Sequence, residues 1–201
     1  PGWTDYDKTV LYTAFNITSL LCAGENVAGL LLGNGRYNPP DELVVRSPIE
    51  LNKYGTRPVG IVQINIRYTD GTSDIVVSDG SWKVTKGPIV MNDIWDGETY
   101  DARLEKCGWD LPGYDASDWK KASVVEGPKG KLRSHATFPH IKVNKTIQPR
   151  SVTNPRPGVY VFDFGQNFAG WVKLKNVTGP RGTEVNLRFA ELLDVEGMLN
   201  T

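Results

Sequence analysis

The sequence predicts an all-β chain: an antiparallel β-sandwich followed by the beginning of a second one. Three observations carry that expectation. Apolar residues recur at every second position, as in Val62, Ile64, Ile66 and Tyr68 alternating with Gln63, Asn65 and Arg67, which marks a strand with one face covered. The apolar runs are short and are separated by turn-forming pairs such as Asp70-Gly71 and Asp79-Gly80, the spacing of a sandwich rather than of a helical bundle. Gly 21 and Pro 13 among 201 residues supply roughly one turn residue in six.

The elements follow in order. Thr18-Ser19-Leu20-Leu21 reads as a single helical turn, too short to stand without packing. Leu30, Leu31 and Leu32 read as a short strand, and Gly33-Asn34-Gly35 as the turn after it. That turn has two glycines of a dinucleotide loop but Asn38 where a third is needed, with Pro39-Pro40 in place of a helix start. Val62 to Tyr68 forms a strand, Thr69-Asp70-Gly71-Thr72 turns the chain with positive φ angles, and Ile75-Val76-Val77 returns beside it. Asp79-Gly80 turns again into Trp82-Lys83-Val84. Asp115 to Trp119 is a second helical turn. Pro139, Pro149, Pro155 and Pro157 place a boundary within 134–158, with Asn154 to Gly158 as its clearest turn. Ile141-Lys142-Val143 and Lys145-Thr146-Ile147 form a strand on one side or the other. Beyond it, Trp171-Val172-Lys173-Leu174 and the alternating Val185, Leu187 and Phe189 are strands separated by Gly179-Pro180-Arg181-Gly182. The division is drawn as 1–136 and 137–201. The second part is thin for a core of its own and reads as truncated.

Composition limits function. Lys+Arg 23 balance Asp+Glu 23, so the basic excess that nucleic acid or an anionic membrane requires is missing. No apolar run approaches the roughly 18 residues of a membrane span. Six Trp, eight Tyr and six Phe offer large side chains for a core. Cys22 and Cys107 admit either one disulfide or two buried thiols. The chain opens on Pro1 with no initiator Met or signal peptide and closes on the loop-like Gly197 to Thr201, which reads as an excised piece. The compartment stays open between cytoplasm, periplasm and the extracellular space.

No catalytic set assembles. His135 and His140 are the two histidines; they sit close in sequence, yet loop histidines are ordinarily solvated. There is no Gly-x-Ser-x-Gly elbow, and no spacing singles out a carboxylate pair. The densest polar stretch runs from Asn92 to Arg103 and holds Asp93, Asp96, Glu98 and Asp101 with Trp95 and Tyr100. Two readings fit it. Its oxygens suit calcium, although EF-hand spacing fails at Ile94 and Arg103, and its rings could stack on a sugar face. Equally, it is a tight turn whose acids cap backbone amides and pair with Arg103.

Several longer strings coincide with one family. Pro1-Gly2-Trp3-Thr4-Asp5-Tyr6, Gly24-Glu25-Asn26-Val27 with Leu31-Leu32-Gly33-Asn34-Gly35, and Asp96 to Arg103 resemble the N-terminal non-catalytic β-domain of bacterial α-L-rhamnosidases, glycoside hydrolase family seventy-eight. Val161-Phe162-Asp163-Phe164-Gly165-Gln166-Asn167-Phe168-Ala169-Gly170-Trp171, Gly179-Pro180 with Gly182-Thr183-Glu184-Val185, and Phe189-Ala190-Glu191 resemble the opening of the next β-domain. The resemblance implies a jelly-roll, galactose-binding-like sandwich. It also implies a parent enzyme that hydrolyses terminal α-L-rhamnosides with inversion. The acidic pair would then lie on an (α/α)₆ barrel beyond Thr201, so no catalytic residue carries over to this chain. Related modules bind rhamnose through calcium. By that resemblance Asn92, Asp93 and Asp96 are the expected Ca²⁺ ligands, and Asn92, Asp93, Trp95 and Glu98 the expected carbohydrate contacts. The implied partners are rhamnose-containing glycans and the catalytic barrel. Three functions therefore stand: a supporting region of an α-L-rhamnosidase, a calcium-dependent carbohydrate-binding module, or a structural sandwich of some other sugar-acting protein.

Overall fold

The computed structural model describes residues 2–39, 54–93, 95–136, 139 and 141–200. The chain is all-β: among the described residues there are ten strands, two single 3₁₀ turns and no α-helix. It divides into two compact units, 1–139 and 140–201, the division falling inside the proline-rich stretch.

Among its described residues the first unit holds four two-stranded ladders. β2 (Gln63–Arg67) and β3 (Ser73–Val77) pair antiparallel in unbroken register from Gln63↔Val77 to Arg67↔Ser73. The alternation of apolar residues is realised here: Ile64 and Ile66 are half-buried, while Gln63, Asn65 and Arg67 are exposed. β4 (Lys83–Val84) pairs with β7 (Lys120–Lys121), and β5 (Ile89–Asp93) with β6 (Gly97–Tyr100), both antiparallel. β1 (Thr9–Tyr12) and β8 (Lys131–Ser134) differ from the antiparallel expectation and run parallel, Thr9↔Lys131 to Tyr12↔Ser134. Parallel neighbours need a long crossover; here the chain from Thr13 to Gly130 supplies it.

In the second unit β9 (Ser151–Arg156) and β10 (Val159–Asp163) form an antiparallel hairpin with an irregularity between Val159 and Val161. The turn is tighter than Asn154 to Gly158, because Asn154 and Pro155 belong to β9 and the chain reverses at Pro157-Gly158. Asn154 Nδ2 closes it by donating to the carbonyls of Arg156 and Val159 at 3.0 and 2.6 Å.

Other expectations are corrected. Leu30 to Leu32, Ile141 to Ile147, Trp171 to Leu174 and Val185 to Phe189 form no strand. A short apolar run or an alternating one licenses an extended chain, but a strand also needs a hydrogen-bonding partner, and these segments find none among the described residues. Asp115 to Trp119 is a turn, closed by Trp119 N–H to the Ala116 carbonyl at 3.1 Å, rather than a helix. Thr18–Leu20 is the single helical turn expected, and Ala102–Leu104 adds another, capped by the Asp101 carboxylate. Nor do the large side chains build the core expected of them. Among the described residues Val161 is the buried apolar side chain, and Trp3, Trp95 and Trp171 remain 46, 58 and 66% exposed. Two-stranded ladders leave their faces uncovered where no second layer packs on them. Cys22 and Cys107 are free thiols, and both are exposed rather than buried.

Candidate functional site

The site is built around a short loop in the first unit. At Gly35 and Asn38 the backbone bonds to itself in both directions, Gly35 N–H to the Asn38 carbonyl at 3.3 Å and Asn38 N–H to the Gly35 carbonyl at 3.1 Å. Asn34 Nδ2 adds a 2.9 Å bond to the same Asn38 carbonyl. Arg36 and Tyr37 are thereby held at the tip of a closed loop. Beside them lies a cleft of about 200 Å³ lined by Trp3, Tyr6, Gly33, Arg36, Tyr37 and Asn38 among others.

Aromatic packing shapes its wall. Tyr6 meets Tyr54 and Tyr37 edge-on at 4.9 and 5.8 Å between ring centres, and Tyr37 stacks on Tyr54 at 6.4 Å. Such geometries match the ring quadrupoles and add to plain area burial. Burial pushes the Tyr6 phenol above its ordinary pKa, opposed by the Arg36 guanidinium. Arg36 stands over the Trp3 ring at 5.8 Å, a cation–π contact. Trp3 in turn meets Trp95 edge-on at 5.9 Å.

The sequence-derived candidates sit at the next ladder. Asn92 and Asp93 close β5, Glu98 lies in β6 opposite Asn92, and Trp95 and Asp96 occupy the turn between the strands. Asn92 Oδ1 accepts the Asn34 backbone N–H at 3.1 Å, and Asn92 Nδ2 lies 2.6 Å from where a Cβ on Gly33 would be. Its job is to brace the Gly33-Asn34 backbone that leads into the Arg36-Tyr37 loop. Asp93 Oδ1 accepts the amides of Trp95 and Asp96, each at 2.6 Å. Asp101 caps the Arg103 amide and grips its guanidinium at 2.6 and 2.7 Å. The tight-turn reading of this stretch describes those contacts.

The calcium set fits poorly here. The Asn92 oxygen and one Asp93 oxygen are occupied by backbone amides, whereas Ca²⁺ takes six to eight free oxygens. Among the described residues no three carboxylate, imidazole or thiol groups converge on a metal-sized space. His140 and Ile94 lie outside the described residues. The structure brings Asn92 and Trp95 to the margin of the aromatic cleft and leaves Glu98 exposed on its strand. Sequence reasoning passed over the cleft residues Trp3, Tyr6, Arg36, Tyr37 and Asn38. The available signal was a lone cation between aromatics of distant segments, which only folding brings together.

Comparison with known proteins completes the description. The family model of the α-L-rhamnosidase N-terminal domain matches residues 1–145, and that of the bacterial α-L-rhamnosidase concanavalin-like domain matches residues 153–201. An α-L-rhamnosidase of Streptomyces avermitilis is 37% identical over 201 residues, all of this chain and 19% of that protein. One of Formosa agariphila is 37% identical over 200 residues, 98% of this chain and 20% of that protein. The solved α-L-rhamnosidase of Dictyoglumus thermophilum shares 40% identity at a TM-score of 0.82, covering 100% of this chain and 21% of that one. The S. avermitilis enzyme, solved with L-rhamnose, shares 34% identity at a TM-score of 0.79, covering 100% of this chain and 19% of that one. The chain thus spans about a fifth of the length of the relatives it matches. It belongs to the α-L-rhamnosidase family, where it corresponds to the N-terminal domain and the concanavalin-like domain that follows.

Proposed function

We propose that this chain is the non-catalytic N-terminal region of an enzyme that releases terminal α-L-rhamnose from rhamnose-containing glycans, and that it supports a catalytic barrel carried elsewhere in that enzyme. The observation that carries the reading is collinearity: two adjoining rhamnosidase domains match in order along the chain, over a fifth of the relatives' length. Use of the carboxylates agrees with it. Asp70, Asp79, Asp93 and Asp115 each accept a backbone amide at a turn, whereas inverting hydrolysis needs two carboxyls facing each other across a water.

The exposed apolar faces point the same way. In β3 Ile75, Val76 and Val77 are 65, 44 and 49% exposed, surface that further domains of the same protein would cover at low cost. The test is turnover of an aryl α-L-rhamnoside by this chain and by the longer reading frame containing it. Hydrolysis by the longer protein alone is expected. Hydrolysis by the 201-residue chain alone would overturn the reading.

A further inference from the structure

We propose that the cleft beside the Gly35–Asn38 loop binds a single acidic pyranose, a hexuronate unit, without a metal ion. The inference goes beyond the reading above, since neither rhamnoside hydrolysis nor support of a barrel requires it.

Size comes first. A volume of about 200 Å³ lies below the roughly 300 Å³ at which drug-sized pockets begin, and suits one six-membered ring. Shape and chemistry come next. Trp3, Tyr6 and Tyr37 line the cleft, and rings of this kind pack against the C–H face of a sugar while hydroxyls point outward. Asn38 also lines it, is 7% exposed, and its side-chain amide bonds to none of the described residues. A side-chain amide offers both donors and an acceptor. A sugar hydroxyl pairs with it in either direction.

Charge decides the class of sugar. Among the described residues of the lining Arg36 is the charged one, and none of them is a carboxylate. Its guanidinium is stacked over Trp3, and its in-plane N–H groups make no hydrogen bond or ion pair with a described residue. Guanidinium donors match a carboxylate in paired geometry. The Gly35–Asn38 bonds fix the loop beforehand, which lowers the ordering cost of binding. A neutral hexose would use the rings and the amide but leave Arg36 unanswered. An aromatic acid would answer Arg36 but leave Asn38 unpaired.

The experiment is calorimetric titration of the full chain, in EDTA, with methyl β-D-glucuronide, methyl β-D-galacturonide, methyl β-D-glucoside and benzoate. At least one uronide is expected to bind about tenfold more tightly than the glucoside and than benzoate. Added salt at roughly 0.5 M should weaken that preference. Arg36→Gln should abolish the preference, and Arg36→Lys should retain part of it. Amide NMR spectra of both variants report whether they stay folded, and the wild-type comparison stands without them. The proposal is overturned by absence of uronide binding, by equal affinity for glucoside or benzoate, by loss of binding in EDTA, or by a folded Arg36→Gln chain that keeps the preference. Rhamnoside turnover by the longer protein is a separate readout, so failure here leaves the hydrolase reading standing, and the converse.

Discussion

The phenol of Tyr100 donates to the carboxylate of Glu105, and that bond raises the phenol's pKa from 10.0 to about 12, with desolvation and the Glu105 and Glu98 charges adding to it. Ionising the phenol would set a phenolate against a carboxylate. Between the two values the unfolded chain has released this proton and the folded chain still holds it, so stability falls as pH rises through that interval and levels off above it. Ultraviolet titration should show one tyrosine ionising near pH 12, and Glu105→Gln should return it toward the ordinary range. A second residue-scale test concerns Gly33. A Cβ there meets Asn92 Nδ2 at 2.6 Å, so Gly33→Ala should cost about 1–2 kcal/mol by crowding. Asn92→Ala should cost about 1 kcal/mol by stranding the Asn34 N–H. Because removing Asn92 also removes the clash, the double variant should lose less than the two single losses combined. Denaturation midpoints of the four chains measure this. Additive losses would mean that Asn92 does not brace Gly33-Asn34.

Among the elements, the β2–β3 hairpin is the one most nearly specified by its own residues. Tyr68 N–H reaches the Thr72 carbonyl at 2.9 Å, Gly71 N–H reaches the Tyr68 carbonyl at 3.1 Å, and Gly71 takes φ 89°. The loop therefore has three residues, and Gly71 carries the positive φ without Asp70 sharing it. Asp70 works through its carboxylate instead, accepting the Thr72 hydroxyl and amide at 2.6 and 2.9 Å. Those bonds hold its pKa below the ordinary value, the hydroxyl contributing most. A Cβ at Gly71 would touch nothing, so Gly71→Ala tests conformation alone and should lower stability by about 1–2 kcal/mol, read as a shifted urea midpoint at unchanged slope. A neutral result would place Gly71 outside the turn's requirements. The hairpin was legible because turn, register and alternation all lie within Gln63–Val77. Val185 to Phe189 has the same alternation but no adjoining partner among the described residues, and a sequence pattern cannot supply one. The candidate site follows the same rule. Asn92 to Arg103 was visible as one contiguous polar run, whereas Trp3, Tyr6, Arg36, Tyr37 and Tyr54 come from three separated segments.

At the scale of the whole chain, the division at residues 139 and 140 makes a prediction about proteolysis. A protease must draw roughly extended, unbonded backbone into its active site, so it cuts first where little local structure has to open. Residues 141–149 belong to no strand, and Ile141 is 94% exposed. Lys142 and Lys145 lie in this stretch and are exposed, and Arg150 follows at its end. Lys131 and Arg133 are exposed too, but they sit within β8, whose ladder to β1 must open before cleavage. Arg150 is tied to the β9–β10 hairpin through its N–H to the Asp163 carbonyl at 2.7 Å. Limited trypsin digestion should therefore cut after Lys142 or Lys145 before it cuts after Lys131 or Arg133, in fragments that mass spectrometry assigns directly. The N-terminal fragment would retain all four ladders of the first unit, together with the Gly35–Asn38 loop and its cleft. Earlier cleavage after Lys131 or Arg133 would show that the β1–β8 ladder opens more readily than the proline-rich connection, and would move the boundary between the units into the first sheet.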